Sequence, residues 1–127
     1  MIDLKDKFDI EGVEHLRTLP SEEFAESLPS IIEWTADSNW PVAKPLASLI
    51  FERLDISENE ILKVLSTENH DDEWKFHLLS MWPDSLSHPS KKLIESIQRI
   101  ANSPTTGEIA ENASTMAQEI LKRMNNS

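Results

Sequence analysis

Two tryptophan-led segments, Asp37-Ser38-Asn39-Trp40-Pro41-Val42-Ala43 and Asp71-Asp72-Glu73-Trp74-Lys75-Phe76-His77, set the tightest limit on the fold of this chain. Each precedes an apolar run of helical spacing, and Trp40 and Trp74 stand 34 residues apart, a separation typical of stacked helix-pair repeats. Apolar residues recur three and four positions apart almost throughout, strand-like alternation is absent, and only two Gly occur. The expected fold is all-α: a short α-solenoid of about three HEAT-like helix pairs preceded by one helix. Such stacks present a surface to a partner, so the pattern points to binding before catalysis.

The pattern predicts a first helix from Asp9, a good N-cap, through Ile10, Val13 and Leu16 to a stop before Pro20. Ser21 is expected to cap a second helix carrying Phe24, Leu28, Ile31, Ile32 and Thr35, which Pro29 must kink or restart. Asp37 to Asn39 supply caps for a helix burying Val42 to Leu54, with Pro41 in its first turn and Pro45 loosening it. Ser57-Glu58-Asn59-Glu60 has capping-box spacing ahead of Ile61, Leu62 and Leu65. The helix of Trp74 to Met81 should stop at Trp82-Pro83, and Pro89 should open one with Leu93, Ile94, Ile97 and Ile100 inward. A second capping box, Thr105 to Glu108, leads a last helix with Ile109, Ala113, Met116, Ile120 and Met124. Paired, these make units of roughly 21 to 54, 57 to 82 and 89 to 124 in one domain, 1-127. The repeat is approximate, because the third unit has no Trp.

Twenty-three acids against 12 bases give a net charge of −11, which opposes neutralisation of phosphates and so disfavours nucleic acid and anionic membranes as partners. Residues 1 to 35 are the most acidic third, with nine acids and three bases. An excess of carboxylates keeps a small protein soluble, and it also attracts a basic partner. With no Cys there is no thiolate zinc site or thiol nucleophile, and a reducing, cytoplasmic compartment is expected. The start of the chain alternates charge where a signal peptide needs an apolar core, and no apolar stretch approaches the ~20 residues of a membrane span.

Candidate sites are few. Trp40 and Trp74 are expected to wedge between neighbouring helix pairs, and Trp34 and Trp82, nearer helix ends, to be half exposed. Glu73 and His77, four apart with His70 a turn earlier, have a spacing that could share a metal ion, but no second His-bearing helix completes the set. Glu73, His77, Ser80 and Asp84 fall on one helical stripe and read as a solvent face rather than a triad, because parallel side chains do not converge on one atom. His15 and His88 suit an outer face and a loop. No phosphate loop and no nucleophile elbow occur, so neither a catalytic residue nor a cofactor is assigned. Three consecutive acids, Asp71, Asp72 and Glu73, exceed what a helix N-terminus requires, and Asp37 holds the equivalent place one unit earlier. The expected partner-binding residues are therefore Asp37, Asp71, Asp72 and Glu73, supported by Glu22, Glu23 and Glu26.

Lys5-Asp6-Lys7-Phe8-Asp9, Asn39-Trp40-Pro41-Val42-Ala43, Trp74-Lys75 and Ala117-Gln118-Glu119-Ile120-Leu121 together resemble a small bacterial family defined only as a domain of unknown function, DUF5071-like. The resemblance spans nearly the whole chain, implies a compact HEAT-like helical fold and transfers no catalytic residue. Phe8 stands where a more polar residue is expected. Small helical-repeat proteins of this kind also look like immunity proteins of bacterial toxin systems, which are acidic when their toxins are basic nucleases. The expectation is a non-enzymatic immunity protein that neutralises a basic toxin domain such as a ribonuclease. The alternative is a general helical-repeat scaffold or adaptor, and an enzyme acting on a small substrate is a third reading.

Overall fold

The computed structural model describes residues 2–86 and 88–125, and among these there are eight α-helices, one 3-10 segment and no strand. The helices are α1 (Ile10–Arg17), α2 (Ser21–Ile31), α3 (Ala43–Glu52), α4 (Leu54–Leu65), α5 (Asp72–Ser80), α6 (Lys91–Asn102), α7 (Thr106–Ala110) and α8 (Ala113–Asn125), with the 3-10 segment at Ile32–Thr35. Helices α2, α4, α6 and α8 pack in succession, each on the next. Helix α3 lies against the 3-10 segment, and α5 against α7 and α8. One cluster of buried apolar side chains runs between the helices from Leu4 to Ile120.

Several helix boundaries are set by backbone geometry rather than by the expected caps. Asp9 does cap α1, its Oδ1 accepting from Gly12 N at 2.9 Å. Ser21 does not cap α2: it is the first helical residue, and its Oγ accepts from Arg53 at 3.2 Å. Pro29 is carried inside α2, which then tightens into the 3-10 segment. That resolves the kink-or-restart alternative as a change of winding. Trp40 to Val42 form turns, and α3 begins at Ala43, so Pro45 falls in a first turn whose amides lack intrahelical partners.

The Ser57 capping box does not form. α4 starts three residues earlier, at Leu54, and Ser57 is fully buried, donating to Ile50 O at 2.6 Å and Arg53 O at 3.0 Å. The hydroxyl is thus used to join α3 to α4 across the bend at Arg53, and Leu54 belongs to α4, not α3. The Thr105 box does form, with both reciprocal bonds. Its helix ends after Ala110, because Asn112 takes a left-handed φ of 65° and restarts the chain as α8. Ile109 is consequently 58% exposed, and Ile10, in the first turn of α1, is 42% exposed. Ser90, not Pro89, sets the start of α6, its Oγ accepting from Leu93 N.

The tryptophans sort differently from the expectation at one position. Trp82 is buried, packed edge-on to Phe51 with ring centroids 5.0 Å apart. Trp34 and Trp40 are both half-buried and meet edge-to-face at 5.7 Å. Trp74, half-buried, donates its indole N–H to Thr35 Oγ1 at 2.9 Å and so ties α5 to the 3-10 segment.

Candidate protein-binding surface

The three acids at the start of α5 diverge. Asp71 is the N-cap, its Oδ1 accepting from Trp74 N at 3.0 Å. Asp72 turns inward to Lys75 Nζ at 3.0 Å. Asp71 stays exposed as it caps, and Glu73 points to solvent, its side chain 70% exposed and 3.8 Å from His77 Nε2.

Lys75, which sequence reasoning passed over, is 1% exposed and anchors a buried ionic cluster. Its Nζ donates to Glu108 Oε2 at 2.8 Å as well as to Asp72. Glu108, fully buried, also accepts from Arg99 at 2.7 Å through both oxygens, and from Thr105 N at 2.9 Å within the capping box. Helices α5, α6 and α7 thus meet at one carboxylate, and Arg99 reaches on to Leu65 O of α4 at 2.9 Å. Burial raises the Glu108 carboxyl, but the Arg99 and Lys75 bonds and the Thr105 amide outweigh it and hold it at about 2. The only sequence signal for this cluster was the capping box, since an i,i+3 Asp72–Lys75 pair reads equally as a solvated pair.

His77 is also drawn inward. Its Nδ1 accepts from Ser38 N at 3.2 Å and lies 2.7 Å from Ser38 Oγ, with the imidazole side chain only 12% exposed. The solvent stripe of Glu73, His77, Ser80 and Asp84 is therefore not one face. Ser80 donates back to His77 O, and Asp84 lies beyond the end of α5, where it pairs with Arg123 at 2.8 Å. Ser38, His77 and Glu73 do form a hydroxyl, imidazole and carboxylate series. The amides that would have to stabilise an oxyanion are already engaged: Ser38 N with His77, Asn39 N with Asp37, and Trp40 N with Asp37 O. The series fastens the turn before α3 onto α5.

That fastening holds Ser38, the neighbour of Asp37, against His77. Asp37 is half-buried, its Oδ1 accepting from Asn39 N at 2.9 Å. Glu22, Glu23 and Glu26 are exposed on the first turns of α2, and their carboxylates have no ion-pair or hydrogen-bond partner among the described residues. Among the described residues no group of three or more His, Asp or Glu side chains is placed to hold a metal ion, and no helix is long and apolar enough to cross a membrane.

The arrangement is that of an all-helical domain whose buried charges are consumed internally and whose free carboxylates face outward. The chain belongs to the family described as Domain of unknown function (DUF5071), whose model it matches over residues 3–121. No curated protein matches it.

Proposed function

We propose that this is a non-enzymatic protein-binding domain, a cytoplasmic immunity protein that caps a basic toxin domain such as a ribonuclease. The observation that carries the reading is the set of free carboxylates. Glu22, Glu23 and Glu26 stand exposed without ion-pair partners among the described residues, in a chain of net charge −11. A surface of that sign steers a cationic partner and accelerates encounter, while apolar and aromatic anchors set how long the complex lasts.

The finer architecture, a short HEAT-like solenoid, is part of the same proposal. Its support is the spacing of four of the long-range side-chain bonds, while others span 17 to 39 residues. Arg53 to Leu19 O and Arg99 to Leu65 O each span 34 residues, Lys75 to Glu108 spans 33, and Arg17 to Glu52 spans 35. Bonds recurring at one repeat length are what stacked helix pairs produce.

An immunity gene should directly follow the gene of its toxin, so the test uses the purified product of the gene immediately upstream. Stopped-flow association should slow steeply with added salt, and charge reversal at Glu22, Glu23 and Glu26 should lower the association rate by about tenfold at low salt. No complex with that product, or an association rate indifferent to salt, would overturn the reading. Glu73→Lys and Asp37→Lys test the acids on either side of the Ser38–His77 contact separately. Asp72 is unsuited to charge reversal, because its carboxylate serves Lys75 inside the fold.

A further inference from the structure

Between the 3-10 segment and α4 runs an open groove of about 250 Å³, lined also by Trp74. Its apolar wall is Pro29, Ile32 and Val64, and its polar edge carries Glu33 and Glu60. The indole N–H of Trp74 is committed to Thr35, and the half-buried ring lines the groove. Glu60 is already paired with Lys63 at 3.1 Å, and that lysine lies 73% exposed at the rim. Glu33 is exposed, and its carboxylate has no partner among the described residues.

We propose that this groove receives an arginine side chain of the basic partner. The proposal rests on the reading above that the partner is a basic protein, and it names the contact. An apolar wall fits the arginine stem, which buries its methylenes while keeping its charge near polar groups. Glu33 offers an unpaired carboxylate for bidentate bonds from a guanidinium. The indole offers a surface on which a planar, weakly hydrated cation stacks better than an ammonium does. Lys63 is the one like charge among the lining residues, and it is paired with Glu60 at 3.1 Å.

The test titrates octa-arginine and octa-lysine peptides into the isotope-labelled full chain and follows amide and indole shifts by NMR. Octa-arginine should move Ile32, Glu33, Val64 and the Trp74 indole N–H, and should bind about fivefold tighter than octa-lysine. Glu33→Lys should weaken octa-arginine binding by about tenfold, and Lys63→Gln should tighten it by about twofold, since an exposed charge changes affinity modestly. Glu33 and Lys63 are exposed, so neither variant threatens the fold. Trp74→Phe, which also removes the bond to Thr35, serves only as a second probe. Shifts confined to Glu22–Glu26 or to Glu73, or unchanged binding by Glu33→Lys, would remove the groove and leave the acidic-surface reading standing. Equal binding of octa-lysine at the groove would overturn the arginine assignment. Failure of both peptides to bind at low salt would remove the groove and the basic-partner reading together.

Discussion

Gly107 sits where a methyl group would run into the Asp72 carboxylate, the group that holds Lys75 Nζ. Gly107→Ala should therefore destabilise the protein by about 1–3 kcal/mol in urea unfolding, although alanine is the better helix former. Glu108 is the centre of the same cluster, and removing its charge leaves Lys75 and Arg99 buried with less compensation. Glu108→Gln should cost about 3 kcal/mol. The wild type should show the same dependence on pH. Its carboxyl is depressed from 4.5 to about 2, so its stabilisation is complete above about pH 4.5 and is lost as the pH falls toward 2. Unfolding midpoints measured between pH 6 and 2 should decline over that window, and Glu108→Gln should flatten the decline. None of this was legible at Lys75. A lysine three residues after an aspartate on a helix reads as surface, and only the arrival of α6 and α7 above it makes the site interior.

At the scale of elements, the same sequence signature led to opposite outcomes. Thr105-x-x-Glu108 is a capping box because the chain before it leaves a helix end, α6, and approaches in extended geometry. Ser57-x-x-Glu60 is not, because α4 has already begun and the hydroxyl finds the carbonyls of α3. Asn112 is the corresponding device at the α7–α8 break, with a φ of 65° that asparagine tolerates and glycine prefers. Asn112→Ala should lose about 1 kcal/mol in thermal or urea unfolding, while Asn112→Gly should stay within about 0.5 kcal/mol of the wild type. A result in which both variants behave alike would show that the left-handed turn is not what separates the two helices.

Over the whole molecule, outward charge and inward charge have different consequences. Charge reversal of Glu22, Glu23 and Glu26 should change unfolding free energy by no more than about 0.5 kcal/mol per site, because exposed carboxylates without partners contribute little to stability. The same substitutions should govern partner association and its salt dependence. On the proposed reading stability and binding are separable in this chain, with Asp72 serving the first and Glu73 the second.

The sequence by itself determined the all-α class, most of the core face of each helix, and the caps at Asp9, Asp71 and Thr105, because apolar period and capping are local properties of a few consecutive residues. Only the tertiary structure decided that Trp82 is interior against Phe51, that His77 turns to Ser38, and that Lys75 is buried against Glu108. Those outcomes depend on what arrives from 30 to 40 residues away. A charged or aromatic side chain near a helix end carries no local mark of whether a partner helix or solvent will meet it.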